Sequence, residues 1–237
     1  MAEGPSRRNS QSEDFVTDGR GLRRENSSMA RNSGEQPGND ESEGPQVVLL
    51  GDSICQGYAP HVRDLLRDAP MQVTRLPAGS SRALLADAEI WRAVQSARLV
   101  HVNVGLHDLK FDCRSRTHAV ALEGYRKNVR EILERLRGAG RTVIWATTTP
   151  VVDARRGVSG SPQNADFIRR NDDVRAFNTA AIDIARELGV ERNDLYMAIV
   201  GGGAHCMIGP DGVHLVDAGY QVCAGQVAHS LECGLRH

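Results

Sequence analysis

From Gln46 onward the chain alternates between short apolar runs and longer stretches whose apolar residues recur at helical spacing. Val47-Val48-Leu49-Leu50 is unbroken, as a strand buried on both faces requires, and it predicts a strand over 46–50. A helix is predicted over 59–68, where Pro60 suits the first turn, and a strand over 71–76. After Gly79 comes a helix over 82–96, then Leu99-Val-His-Val-Asn-Val104, which has the β-forming character of a central strand. Leu122, Tyr125, Val129, Ile132, Leu133 and Leu136 line one face of a helix over 117–137, which Gly138 and Gly140 end. Thr142–Ala146 reads as a fourth strand, 166–188 as a helix stopped by Gly189, Asp194–Met197 as a fifth strand, and 216–232 as a last helix.

Five strands separated by helices predict an α/β domain over 46–237, a three-layer α/β/α flavodoxin-like sandwich with a five-stranded parallel sheet. Residues 1–45 are rich in Ser, Gly, Asn, Glu and Arg and nearly lack large apolar side chains. They cannot bury enough surface to offset the entropy of ordering, so a disordered N-terminal tail is expected there.

Composition narrows the function. Net charge is −1, which gives neither nucleic acid nor an anionic membrane as a partner. Aromatic residues make up 4%, too few for a base-stacking platform. Cys55, Cys113, Cys206, Cys223 and Cys233 are odd in number and irregularly spaced, against both a disulfide framework and a zinc cage. Reduced thiols in a cytoplasmic protein, with no membrane span and no signal-type apolar core, are the expectation.

In parallel sheets ligands bind at the carboxyl ends of the strands. Ser53 follows the first strand there, at the tip of Gly51-Asp-Ser-Ile-Cys-Gln-Gly57, where a helix with free N–H groups begins. Serine becomes a nucleophile when a base takes its proton, histidine is the usual base, and a carboxylate behind the imidazole fixes its tautomer. Asp211-Gly-Val-His214 offers both partners at a spacing that lets them meet in one turn. Gly79 follows the second strand and Gly105-Leu-His-Asp108 the third.

These blocks, in this order, resemble the SGNH hydrolase superfamily, the GDSL-type esterases and lipases. Gly51-Asp52-Ser53-Ile54 stands for its first block, Gly79 for the second, and Asp211-Gly-Val-His214 for the last. The third family block is Gly-x-Asn-Asp, whereas this chain has His107 where the asparagine belongs. The resemblance implies Ser53 as nucleophile, His214 as base and Asp211 as its orienting partner. It also implies an oxyanion hole from the N–H groups of Ser53 and Gly79, each such donor being worth about 3 kcal/mol.

The departure leaves three readings open. His107 replaces asparagine as third donor, held in the right tautomer by Asp108 or a backbone carbonyl; or it contacts substrate beside a two-donor hole; or the hole is damaged and activity weak. The function expected is hydrolysis of a small-molecule or glycan-linked carboxylic ester, with a short acyl group such as acetyl, without metal or organic cofactor. An acyltransferase on the same residues and a non-catalytic binding protein are the rivals. Oligomeric state is not legible.

Several residues have blander expectations. Cys55 fills the serine turn, His101 packs in the sheet, and Asn103 points away from the hole. Gly201–Gly203 carries the chain back toward Asp211, and His205 and Cys206 lack metal-site partners. Thr147–Pro150 lines a substrate pocket and the polar 151–166 loop faces substrate, with Arg155 and Arg156 expected as solvated charges rather than an anion site.

Overall fold

A computed structural model describes residues 46–153 and 166–236. The described chain runs β1 (Gln46–Gly51), α1 (Ser53–Leu65), β2 (Gln72–Pro77), α2 (Ser81–Ala86), α3 (Ala88–Ala93) and β3 (Leu99–Asn103). It continues through two short strands, β4 (Phe111–Asp112) and β5 (Thr117–His118), into α4 (Leu122–Gly138) and β6 (Thr142–Ala146). After β7 (Phe167–Ile168) come α5 (Asn171–Glu187), β8 (Glu191–Asn193), α6 (Leu195–Gly201), α7 (Ala204–Met207) and α8 (Asp217–Gly234).

The main sheet has the order β2-β1-β3-β6-β8, all parallel, which is the flavodoxin-like order. Val47 to Leu50 and all of β3 are buried, because helices cover both faces. Helices α1 and α8 pack on each other over one face, and α4 and α5 over the other. With every strand parallel, the loops after β1, β2, β3 and β6 open on one edge.

Several predicted boundaries move, each for a local reason. Helix α1 begins at Ser53 rather than 59 and runs through Pro60. The missing proline N–H costs one helical bond, which the burial of Ile54, Cys55, Tyr58, Ala59 and Val62 offsets. The helix predicted over 82–96 is α2, α3 and a 3₁₀ turn at Val94–Ser96. Asp87 breaks it by accepting the N–H groups of Glu89 and Ile90 at 2.9 and 3.1 Å. Asp194–Met197 is not a strand: Asp194 caps α6 by accepting the Met197 N–H at 3.1 Å. The fifth strand is β8, three residues earlier and mostly polar, so no apolar run announces it. The first residues of two predicted helices instead enter a small antiparallel sheet, β5-β4-β7.

Two glycines let elements approach closely. A Cβ at Gly57 would stand 2.1 Å from the ring of Tyr220, so Gly57, inside α1, lets α8 lie close against it. A Cβ at Gly51 would stand 2.5 Å from the Cys55 Cβ and 2.8 Å from the Asn103 carbonyl oxygen, a backbone atom that cannot swing aside.

Gly→Ala normally stabilises by about 0.4–1 kcal/mol where the backbone permits it. At Gly51 the sign should reverse: Gly51→Ala is expected to lower unfolding free energy by about 1–3 kcal/mol through overpacking. Urea unfolding checks this, and a variant as stable as the parent would show that the junction has room.

Candidate active site

Asp52 ends β1 and caps α1: its carboxylate accepts the Ile54 N–H at 2.9 Å. That cap sets Ser53 as the first helical residue, with its side chain at the sheet edge. Ser53 Oγ lies 2.9 Å from His214 Nε2, and His214 Nδ1 lies 2.6 Å from Asp211 Oδ2. A carboxylate only accepts, so the Nδ1–H donates to Asp211 and Nε2 is left to accept from the serine hydroxyl.

Asp211 and His214 sit in a tight turn, not a helix, closed by a bridge between Ile208 and Leu215. Asp211 Oδ1 accepts the N–H groups of Val213 and His214, both at 2.9 Å. Partial burial works against the charged carboxyl, yet these N–H groups and the imidazole outweigh it and hold its pKa below the usual range.

Gly79 lies between β2 and α2, in a loop tied to β1 by the Ala78 N–H, which donates to the Gly51 carbonyl at 2.8 Å. His107 lies in the turn after β3, exposed, while Leu106 and Asp108 on either side are buried. Packing around the ring lowers its pKa first, and Arg169, Lys110 and His214 add repulsion to the charged form. A neutral ring offers one N–H donor.

The expectation that Asp108 holds the His107 tautomer does not fit. Its carboxylate is taken up by Ser81, accepting the backbone N–H at 3.0 and 2.9 Å and the hydroxyl at 2.6 Å. The Ser81 hydroxyl in turn accepts from Asn128 Nδ2 at 2.9 Å. Asp108 therefore ties the loop of His107 to the loop of Gly79.

Other side chains have structural partners. Burial pushes the Cys55 thiol up to about 11, so little thiolate exists at neutral pH. His101 is fully buried against Asn193 at 3.1 Å, with its pKa lowered to about 3 by burial. Asn103 Nδ2 donates to the Thr147 carbonyl at 3.3 Å, inside the sheet. The Thr147 hydroxyl donates to Asp194 and the Thr148 backbone pairs with the Asn178 amide, and Thr147 lines a cavity of about 210 Å³ with Asn178, Asp194 and Tyr196. Gly201–Gly203 joins α6 to α7, and Arg155 and Arg156 lie outside the described residues. A cavity of about 590 Å³ lined by Trp91, Arg92, Arg135 and Arg141 lies at the opposite, N-terminal edge of the sheet. Among the described residues no three His, Cys, Asp or Glu side chains gather as a metal ion requires, and no helix is long and apolar enough to cross a membrane.

One residue at the site escaped the sequence reading. Arg169 follows β7 and is 6% exposed, and its Nε donates to the Leu106 carbonyl at 2.7 Å. Nothing in Phe167-Ile-Arg-Arg170 separates it from the half-exposed Arg170, which stacks on Phe111 at 4.2 Å.

A doubly wound parallel sheet thus carries a serine, a histidine and an aspartate in hydrogen-bonded series at its carboxyl edge, where such sheets bind ligands. The sequence matches the GDSL-like lipase/acylhydrolase family over residues 49–222, and the chain belongs to that family; it is an esterase. It is similar to GDSL esterase/lipase CPRD49 of Arabidopsis thaliana, 25% identical over 197 residues that cover 77% of each chain. Among solved structures, a lipase/acylhydrolase from Enterococcus faecalis superposes with a TM-score of 0.64 at 20% identity, covering 80% of this chain and 96% of that one. The acetyl xylan esterase AlAXEase superposes with a TM-score of 0.61 at 15% identity, covering 78% and 99%. At such identities these structures bear on the fold alone.

The electrostatics of Asp52 give a prediction. Burial raises its carboxyl from 3.8 to about 6, against the N–H groups of Ile54 and Cys55 and the charges of Arg169 and His214. Between these values the folded chain holds a proton that the unfolded chain has lost, so the contribution to stability falls as pH rises through that window. Asp52→Asn can keep the cap and has no proton to lose. Urea unfolding of parent and variant from pH 4 to pH 7 should show the variant gaining on the parent as pH rises; a constant or shrinking difference would refute the assignment.

Proposed function

We propose that Ser53, His214 and Asp211 are the catalytic triad of an ester hydrolase that works through an acyl-serine intermediate. The observation that carries this reading is the continuous hydrogen-bond series from Ser53 Oγ through His214 to Asp211, at 2.9 and 2.6 Å. As Ser53 Oγ attacks the ester carbonyl carbon, His214 Nε2 takes the hydroxyl proton and Asp211 steadies the imidazolium. The carbonyl oxygen becomes an oxyanion held by the N–H groups of Ser53 and Gly79 and the ring N–H of His107. Collapse breaks the bond to the alcohol oxygen, which His214 protonates as it leaves. Water then attacks the acyl-serine with the same base, releasing the acid and restoring Ser53.

His107 as third donor is supported by its place between two clamped, buried residues and by the forces that keep its ring neutral. For the substrate we propose a short-acyl ester, acetyl in type, on a small molecule or a glycan. The five free thiols favour a reducing compartment, and we assign the enzyme to the cytoplasm.

A fluorophosphonate probe should label Ser53 in the folded protein and fail on Ser53→Ala; absence of the Ser53 adduct would sink the enzymatic reading of this site. With acetate esters, His107→Asn should keep kcat within about tenfold, whereas His107→Ala should lose about a hundredfold or more, the scale of one lost donor. Product analysis in competing alcohols separates hydrolysis from acyl transfer: free acid as the main product supports hydrolysis.

A further inference from the structure

The turn after β3 presents one exposed side chain, His107, between buried Leu106 and buried Asp108. Such a turn positions a donor only if its backbone is fixed from both sides. On one side Asp108 is held by Ser81 at the start of α2. On the other side the carbonyl of Leu106 accepts a hydrogen bond from Arg169 Nε at 2.7 Å. The two atoms of the Leu106–His107 peptide are rigidly coupled, because the peptide is planar. Fixing the carbonyl therefore fixes the direction of the His107 N–H and Cα, and with them the root of the ring.

Arg169 is itself delivered by the small sheet. Phe111 of β4 pairs with Ile168 of β7, and Asp112 with Phe167, so the segment before Arg169 is zipped to the segment after the His107 turn. The Cys113 N–H adds a bond to the Asp166 carbonyl at 2.8 Å, and Lys110 Nζ lies 3.7 Å over the Phe167 ring. A guanidinium this deeply buried needs negative charge near it. Asp52, the cap beneath Ser53, and Asp211, the partner of His214, are the charges that favour its ionised form. Arg169 thus feels the charge of the carboxylates of both the serine helix and the histidine turn while gripping the backbone of the third loop.

We infer that Arg169 is a positioning residue that acts through His107, setting the oxyanion-binding turn by its hold on the Leu106 carbonyl. This rests on the reading of His107 as third donor. It assigns a purpose to the β4–β7 pairing, which otherwise adds two-residue strands to a fold that already has its sheet.

A double-mutant cycle tests it. Arg169→Gln should lower kcat by roughly tenfold or more with KM changed by less than about threefold, because the lost interaction matters in the transition state. In a His107→Ala background the same substitution should cost less than about threefold, since the residue it positions is gone. Equal losses with and without His107, or a single variant within about threefold of the parent, would overturn the proposal while leaving His107 as donor intact. A His107→Ala enzyme as active as the parent would instead refute the third-donor reading, and this proposal with it. If Arg169→Gln does not fold by circular dichroism, the cycle is run with Arg169→Lys, which keeps the charge but not the guanidinium geometry, under the same criteria.

Discussion

Every feature of the candidate site depends on the parallel register at the end of β1. Gly51 lies opposite Pro77 of β2 on one side and Asn103 of β3 on the other. Because all three strands run the same way, the residues just beyond them, Ser53, Gly79 and His107, emerge at one edge within a few residues of their strands. A register slip by one residue would turn each strand over and send these loops to different heights. The lack of a side chain at Gly51 lets the junction close around the Asn103 carbonyl. Parallel pairing thus does the work of assembling the site, and the loops need only short reach.

Around that edge the charges are arranged in depth. The buried carboxylates, Asp52 and Asp108, are spent on structure: one caps the serine helix and the other joins two loops. The third, Asp211, is half-buried, tied to backbone N–H groups and aimed at the imidazole. Arg169 supplies the buried positive charge among them.

Much of this was legible in the chain, and the reason is burial. Val47–Leu50 is apolar throughout and β3 carries Leu99, Val100 and Val102 because both faces are covered, so their strand character shows in any reading. Ser53, Asp211 and His214 could be singled out as candidates because the ordered blocks that hold them resemble those of a known family. The edge strand β8 could not be found, since two of its three residues, Glu191 and Arg192, meet solvent and the third, Asn193, is polar. Two-residue strands such as β4 and β7 have no periodicity to detect. The partner of Asp108 was misjudged because Ser81 lies 27 residues away along the chain, and only the fold brings it near. Arg169 is one of a pair of adjacent arginines, and which of the two turns inward is decided by where β7 ends.

Ser53 and His214 each sit next to one of two helices that touch: Ser53 opens α1, and His214 lies in the turn just before α8. One turn further along α1, Gly57 meets the ring of Tyr220, six residues beyond His214 in α8. The separation of Ser53 from His214 therefore follows the spacing of α1 and α8. Side chains along that contact become a remote adjustment for the two residues. The absent side chain at Gly57, where a Cβ would stand 2.1 Å from the Tyr220 ring, is the setting this chain has adopted.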